Sequence, residues 1–282
     1  MALPTEKLGT TYGPESSVIE PERAKAYAAA TNDDNPAYQS GKDAPPVFAV
    51  VPVWPVLGQA TGDMIPPDAL MFIVHGEQDM HFHQPLVPGT TLSTTSRPSA
   101  IRVGSSGSRL VVRLDSVDEH GDPVITQYVT LFVRGMADGE SGGPDKPPHD
   151  FPDAAREKRL GEFTVHVDDD QTFRYADASG DRMPIHLDED FAKSVGLPGI
   201  INHGLCTMAM CSQSVVKSVA DGDPARLRRL AVRFAANVVP GNDLTVDLFA
   251  AGATTEGRRA VAFEAASAGQ TVIKHGRAEI DE

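Results

Sequence analysis

Apolar and polar residues follow the same order of patterns twice along this chain. In each stretch a short helical pattern comes first, near residues 21–31 and again near 168–178. A polar loop follows, and then a long apolar helix is predicted over residues 47–62 and 203–219. Period-two alternation then predicts four strands in each stretch. The predicted strands are 72–82, 91–102, 109–118 and 124–134 in the first stretch, and 228–234, 243–250, 260–266 and 271–280 in the second.

The second long helix is apolar on most of its circumference. A helix of this kind has to be buried, and an antiparallel sheet wrapped around it is one way to bury it. That arrangement is the hotdog unit, and each stretch is interpreted as one such unit. We therefore predict an α+β double hotdog, in which each unit is a long central helix wrapped by an antiparallel β-sheet.

A polar stretch separates the two patterned regions. Residues 136–158 are rich in Gly, Pro, Asp and Ser and have no apolar periodicity, which is typical of a linker. The predicted domains are therefore residues 1–135 and 159–282, joined by the linker 136–158.

The two regions also match residue by residue. YAAATNDDNPAY at 27–38 aligns with YADASGDRMPIH at 175–186, PPVF at 45–48 with PGII at 198–201, and FHQPLVPG at 82–89 with FAANVVPG at 234–241. Three matches in the same order indicate an internal repeat. The alternative, two unrelated domains with similar turns, explains the constant order less well.

Composition restricts the class of protein. Hydrophobic residues make up 40% of the chain and charged residues 23%, as in soluble globular proteins. The net charge of −14 argues against general nucleic-acid binding, although a few local cations could still hold an anionic ligand. Cys206 and Cys211 lie five residues apart on one predicted helix, so we expect buried thiols and no disulfide. With no signal-peptide pattern and no apolar run of about 18 residues, we expect a cytoplasmic protein without a membrane span.

The second copy of the repeated loop carries the candidate chemistry. Asp181 stands five residues before His186, and Pro184 favours a backbone that can point both side chains into one cleft. A carboxylate and an imidazole placed in this way can form a proton-transfer pair. Gly204 opens the long helix, where unpaired amides and the helix dipole can hold a developing oxyanion. The alternative is structural: Asp181 caps a helix, His186 is a buried polar residue and Gly204 serves helix packing.

These residues resemble the MaoC-like dehydratases and (R)-specific enoyl-CoA hydratases. The family motif is close to Ser-Gly-Asp-x-Asn-Pro-Leu-His, followed after a short helix by Pro-Ile-x-His-Gly-Leu. This chain has SGDRMPIH at 179–186 and PGIINHGL at 198–205. The resemblance implies a hydro-lyase of fatty acid or related acyl-CoA metabolism that reversibly hydrates trans-2-enoyl-CoA to (3R)-hydroxyacyl-CoA. Asp181 and His186 would be its acid–base pair and Gly204 its oxyanion donor, with no metal and no organic cofactor.

The same resemblance suggests residues that bind the substrate. Asn202 and His203 stand beside Gly204, and Arg233 matches a position that is basic in the family and suits the CoA phosphates. His75 and Gln78 lie in a segment that resembles the two-hotdog members. Further candidates for the phosphates, chosen only because they are close in sequence, are Lys193, Arg182 and Arg174.

The chain departs from the family pattern at two places. Met183 stands where the family commonly has Asn, whereas the first repeat keeps Asn35. The first repeat has Asp33, but Tyr38 replaces the histidine and no His-Gly pair opens its helix. One active site per chain is therefore implied, in the second repeat, while the first repeat shapes the acyl pocket.

Two other functions remain open from the sequence. A hotdog acyl-CoA thioesterase would share the oxyanion site at the helix end but would not need the Asp/His motif. A non-catalytic acyl-CoA-binding or partner subunit is favoured by the Met183 departure. In every case the expected ligand is an acyl-CoA or acyl-carrier-protein thioester, and the chain is expected to be a monomeric pseudo-dimer or a homodimer.

Overall fold

The computed structural model describes residues 2–282, and at Met71 it describes the backbone alone. Contacts divide the chain into two compact units. The first contains the residues up to Val18 together with Pro52–Gln84 and Thr90–Pro148, and the second contains Ile19–Val51, Pro85–Gly89 and His149–Glu282. The units therefore differ from the two sequence repeats, because residues 19–51 of the first repeat belong to the second unit. The boundaries 1–135, 136–158 and 159–282 stay a prediction.

Ten strands and six α-helices make up the two units. In chain order they are β1 (Tyr12–Val18), α1 (Pro21–Ala30), α2 (Pro36–Gln39), α3 (Trp54–Met64), β2 (Ile73–Phe82), β3 (Thr91–Gly104), β4 (Gly107–Val117), β5 (Pro123–Arg134), β6 (Arg159–His166), α4 (Gln171–Ser179), α5 (Glu189–Ser194), α6 (Gly204–Val219), β7 (Leu227–Phe234), β8 (Asp243–Ala253), β9 (Arg259–Ser267) and β10 (Gln270–Ile280), all within the described residues 2–282.

The first unit is a helix packed on an antiparallel sheet. Its strands run in the order β1-β3-β4-β5-β2, and α3 packs against β1, β3 and β4. Val56, Ala60 and Met64 are buried on α3 at a spacing of four residues, which places them on one face of the helix. They join buried strand residues such as Leu110 and Val129 in one hydrophobic core.

The second unit repeats this plan around a more deeply buried helix. Its strands run in the order β7-β10-β9-β8-β6, all antiparallel, and α6 packs against β6, β7, β8 and β10. Every residue of α6 from Leu205 to Val216 is buried. The prediction of a helix that is apolar nearly all round and enclosed by a sheet is thus confirmed.

Residues 19–51 complete the second unit. Helix α1 packs against α4, and the 3₁₀ turn Pro46–Val50 packs against α6. The Tyr27 ring meets Phe48 edge to face, with the ring centroids 5.5 Å apart. This segment brings its own loop, with Asp33 and Tyr38, into the unit that also contains Asp181 and His186.

The strand predictions agree with the structure, but one helix prediction is wrong. All eight predicted strands are present with ends shifted by a few residues, and β1 and β6 are additional. The predicted helix 47–62 is a 3₁₀ turn at Pro46–Val50 followed by α3, which begins only at Trp54. Pro52 contributes to the break because proline has no N–H to donate to a helical carbonyl, although Val51 before it keeps an αR backbone.

Cys206 and Cys211 are buried free thiols, as expected. Among the described residues, no helix is both long enough and apolar enough to cross a membrane.

Candidate active site

The loop after α4 holds Asp181 by local hydrogen bonds. Helix α4 ends at Ser179 because Gly180 adopts a left-handed conformation with a φ of 84°, which glycine accepts without strain. The Asp181 amide then donates to the Ser179 hydroxyl at 3.1 Å. The Met183 amide donates to Asp181 Oδ1 at 3.2 Å, and Pro184 starts the 3₁₀ turn that ends at His186. Local sequence thus determines where the loop begins, how Asp181 is oriented and where His186 follows.

Hydrogen bonds to main-chain carbonyls set the tautomers of two histidines. His186 Nδ1 lies 2.7 Å from the carbonyl oxygen of Ile201, so this nitrogen carries the proton and donates it. His203 Nε2 lies 3.0 Å from the carbonyl oxygen of Asp181 and is likewise the donor. In the neutral rings, His186 Nε2 and His203 Nδ1 are therefore the proton acceptors.

The two imidazoles stack on each other. Their centroids lie 3.8 Å apart with the ring planes 26° from parallel, and one donor atom from each of Asp181, His186 and His203 lies within 4.8 Å of the others. Burial is the main cause that lowers the pKa of both rings, and it lowers the pKa of His203 to about 3. The neighbouring His186 lowers the His203 pKa further, whereas the charge of Asp181 acts to raise the His186 pKa. Both rings are thus neutral near pH 7.

Gly204 lies at the start of α6, next to these side chains. It is the first residue of the helix and His203 is the N-cap, whose side chain caps no helix amide. The first amides of a helix have no partner within it and can bind an anion. A Cβ atom at Gly204 would lie 3.3 Å from the Phe234 ring, so a side chain here would crowd the helix start. The main-chain N–H of Asn202 donates to the Val238 carbonyl at 2.7 Å, which holds this residue in place.

The Asp181, His186 and His203 group has the residue types of a metal site but not a good geometry for one. A metal ion accepts imidazole lone pairs in the planes of the rings. Because the rings of His186 and His203 are stacked, their lone pairs lie in nearly parallel planes and do not converge on one point. His203 Nε2 is moreover engaged with the Asp181 carbonyl. The arrangement suits proton transfer better than metal binding.

The other predicted substrate-binding residues lie outside this group. Arg233 is half-buried on β7, opposite Lys274 of β10. His75 and Gln78 lie on β2 of the first unit, where the His75 ring donates to Gln78 at 3.1 Å. Burial lowers the pKa of His75 to about 4. The three weaker phosphate candidates are each paired with a carboxylate: Arg174 with Asp168 and Asp170, Arg182 with Asp177, and Lys193 with Glu189.

Two tyrosines beside the site were not predicted from the sequence. The Tyr175 ring lies against His203 with a centroid distance of 4.7 Å, and its hydroxyl meets that of Tyr27 at 3.1 Å. Both side chains are fully buried. They are the first residues of the two aligned loop motifs, so their repetition in the alignment was a signal to which no role was given.

The first copy of the loop has kept its acid without a histidine. Asp33 is buried, and burial raises its pKa to about 6. Tyr38 is also buried, and its hydroxyl has no hydrogen-bond partner among the described residues. Asn35 Oδ1 accepts from the Ala37 amide at 2.9 Å and so caps α2, whereas Met183 provides no such cap. The two copies therefore share a backbone plan but not the chemistry.

Comparison with known sequences identifies the family. The family described as MaoC like domain matches residues 150–271, and the FAS1-like dehydratase domain region matches residues 6–127. The 3-hydroxyacyl-thioester dehydratase Y of Mycobacterium tuberculosis is 32% identical over 222 residues, which cover 77% of this chain and 72% of that protein. The chain therefore belongs to the MaoC-like dehydratase family.

Some relatives are much longer than this chain. The peroxisomal multifunctional enzyme type 2 of Drosophila melanogaster is 32% identical over 190 residues, or 64% of this chain. That match covers only 30% of the Drosophila protein. The chain thus corresponds to one part of such an enzyme.

Solved structures identify the fold as the double hotdog. A MaoC-like dehydratase from Phytophthora capsici superposes with a TM-score of 0.84 at 23% identity, covering 99% of this chain and 97% of that one. A Mycobacterium tuberculosis protein described as a double hotdog fold superposes with a TM-score of 0.62 at 13% identity, covering 96% and 95%. The predicted fold class is confirmed.

Proposed function

We propose that this protein catalyses the reversible hydration of trans-2-enoyl-CoA to (3R)-hydroxyacyl-CoA. The observation that carries the proposal is the convergence of the Asp181 carboxylate and His186 within 4.8 Å, beside the start of α6. This group lies in the part of the chain that matches the MaoC-like domain. The name of the mycobacterial relative, a 3-hydroxyacyl-thioester dehydratase, supports the same chemistry.

One water held between Asp181 and His186 would supply both added groups. Its oxygen bonds to C3 of the enoyl chain and one of its protons ends on C2, so the two side chains are unchanged after turnover. His186 suits a proton acceptor because its Nδ1–H is held by the Ile201 carbonyl, which leaves Nε2 unprotonated.

The amide of Gly204 would stabilise the charge that develops on the thioester oxygen. The α6 dipole favours negative charge at this end, and a glycine lets the carbonyl approach the backbone. Losing one such donor typically lowers the rate by about 10²–10³-fold. Asn202 and His203 would line this end of the helix, with Arg233, His75 and Gln78 proposed to contact the CoA or acyl parts of the substrate.

The proposed reaction needs neither a metal nor an organic cofactor. The substrate would be an acyl-CoA or an acyl-carrier-protein thioester. We propose a cytoplasmic location and either a monomer or a homodimer.

Replacing either member of the pair tests the proposed function. Asp181→Asn and His186→Ala should each lower hydration of crotonyl-CoA by at least about 10²-fold, because each removes a general acid–base group. Loss of enoyl absorbance measures the rate, chiral analysis identifies the product, and thermal unfolding shows that the fold is kept.

The first repeat offers the matched control. Asp33→Asn changes the equivalent acid in the copy without a histidine and should keep wild-type turnover. Full activity of Asp181→Asn or His186→Ala would refute the assignment. Release of free thiol from saturated acyl-CoA would instead support the thioesterase, and tight binding without turnover would support the non-catalytic subunit.

A further inference from the structure

Arg23 on α1 contacts the end of α4. Its Nε donates to the Ala178 carbonyl and its Nη2 donates to the Ser179 carbonyl, both at 2.8 Å. The last carbonyls of a helix lack partners within it, and a cation there is favoured by the helix dipole. A guanidinium fits this place well because its donors are held in a rigid fork. Although part of the Arg23 side chain is exposed, the two carbonyls that it binds come directly before Gly180 and Asp181.

The loop that carries Asp181 is consequently held at two points. Arg23 Nη2 lies so near Gly180 that a Cβ atom there would be 2.9 Å from it. On the other side of Asp181, His203 Nε2 donates to the Asp181 carbonyl. One contact fixes the start of the loop and the other fixes Asp181 next to the stacked histidines.

The equivalent helix end in the first repeat is held by a different set of donors. Because Tyr27 aligns with Tyr175, the repeat places Gln171 at the position of Arg23 and Ala30 at that of Ala178. Gln171 donates to the Ala30 carbonyl, and Gln213 donates to the Thr31 carbonyl. Neutral amides thus bond the last two of these carbonyls before Asp33, and the Arg174 guanidinium donates one residue earlier, to the Ala29 carbonyl at 3.1 Å. Before Asp181, the Arg23 guanidinium bonds both of the equivalent carbonyls itself. The copy that carries the Asp/His pair is therefore the one in which a single guanidinium bonds both carbonyls next to the loop.

We propose that Arg23 is a positioning residue that fixes the Asp181 carboxylate relative to His186. The inference rests on the proposed hydration, and Arg23 acts through the loop and not on the reacting atoms. A misplacement of about 1 Å can lower an enzymatic rate by roughly 10²-fold, so small loop movements are sufficient. Arg23 lies outside residues 150–271, so the part of the chain that matches the MaoC-like domain receives this contact from the first repeat.

Three variants and two measurements test the role of Arg23. Arg23→Met keeps a long side chain but removes both hydrogen-bond donors. Arg23→Lys keeps the positive charge but has only one donor nitrogen. Lys25→Met removes a positive charge from the same helix and is the control. We expect Arg23→Met to lower kcat on crotonyl-CoA by roughly 10-fold with KM within about twofold of wild type, as a partial misplacement implies. Arg23→Lys should recover part of the loss, and Lys25→Met should equal wild type.

Amide hydrogen exchange of residues 180–183 gives a readout that does not depend on turnover. Exchange there should become faster in Arg23→Met than in the wild type, whereas it should be unchanged in the control Lys25→Met. If the wild type does not hydrate crotonyl-CoA, the hydration proposal fails while the exchange result still decides whether Arg23 holds the loop. Unchanged kcat in Arg23→Met, a change in KM alone, or an equal loss in Lys25→Met would overturn the role. Should Arg23→Met fail to fold, Arg23→Lys decides: lower kcat at wild-type KM supports the role and unchanged kcat refutes it.

Discussion

Burial has opposite consequences for the bases and acids of the two loop copies. It lowers the pKa of His186 and His203, so these rings stay neutral and His186 can accept a proton. It raises the pKa of Asp33 to about 6, because a buried carboxylate loses its hydration. In the second copy, burial thus keeps the His186 ring in its neutral, proton-accepting form. In the first copy, burial destabilises the ionised Asp33 carboxylate, and no histidine stands at the equivalent of position 186.

Asp33→Asn should therefore stabilise the protein above pH 6. The folded state holds the Asp33 proton up to a pKa of about 6, whereas the unfolded state releases it near 3.8. Above pH 6 the folded carboxylate is ionised at a cost of up to about 3 kcal/mol, which the amide avoids. The unfolded state is protonated as well once the pH falls below 3.8, so the gain should be small at pH 4 and disappear at lower pH. Chemical denaturation at pH 4 and pH 7.5 measures the difference.

The neighbouring residue Asp34 is the control for this effect. It is exposed, and its bond to Lys217 lowers its pKa. Asp34→Asn removes the same charge but should bring no gain at either pH. An equal gain in both variants would mean that net charge, and not burial, is the cause.

At the scale of elements, the apolar pattern predicted the buried helix and strands but missed the two edge strands. The strands β1 and β6 contain no fully buried residue, so their alternation leaves little trace in the sequence. The helix α3 was extended too far because its apolar residues continue through Pro52 into the turn before it. Helix α6 was predicted with its correct end at Val219 because it is buried on all sides.

The short turn that carries His186 lacks a cap that its counterpart has. Met183 and Asn35 have nearly the same backbone conformation, with φ and ψ of −58° and 132° against −56° and 126°. Asn35 caps its helix with Oδ1, but Met183 is an exposed apolar side chain. Met183→Asn should therefore let the new side chain accept from the Ile185 amide. We expect a gain of about 0.5–1 kcal/mol in the free energy of unfolding, with turnover kept.

Denaturant unfolding with Met183→Ala as the control distinguishes the cap from the mere loss of an exposed apolar side chain. Alanine removes that side chain without adding an acceptor. If alanine stabilises the protein as much as asparagine does, the cap is not the cause. Loss of turnover in Met183→Asn would show that methionine itself serves the substrate.

At the scale of the molecule, the sequence predicted the repeat and a candidate site but not which other segments pack around that site. Asp181, His186 and Gly204 could be found because they lie in one spaced motif. The contacts of Arg23 and Tyr27 could not be predicted, because they join residues about 150 positions apart, and packing of that kind leaves no local pattern. The stacking of His186 on His203 is likewise a result of packing.

Residues 149–282 should not fold as an independent domain. They would lack α1 and the turn Pro46–Val50, which pack on α4 and α6 in the second unit. Removing these segments exposes the apolar surfaces around Tyr175 and α6, and hydrophobic burial is the main term that stabilises a fold. We expect the fragment to lack cooperative thermal unfolding and enoyl-CoA hydration, whereas the whole chain shows both.

Adding back the missing segment provides the control for this experiment. Residues 19–51 supplied as a separate peptide should restore helical signal and cooperative unfolding to the fragment 149–282. A fragment that unfolds cooperatively without the peptide would show that residues 19–51 are dispensable for this unit.

The segments of the second unit are separated along the chain, so they leave the ribosome at different times. Residues 19–51 are synthesised before residues 52–148, which belong almost entirely to the other unit. At about 5–20 residues per second, the nascent α1 waits several seconds before the first residue of its partner segment exists. During that time Tyr27 and Phe48 have no native surface to cover them. During synthesis, residues 19–51 therefore have to be kept from aggregating until residues 149–282 are available to pack against them.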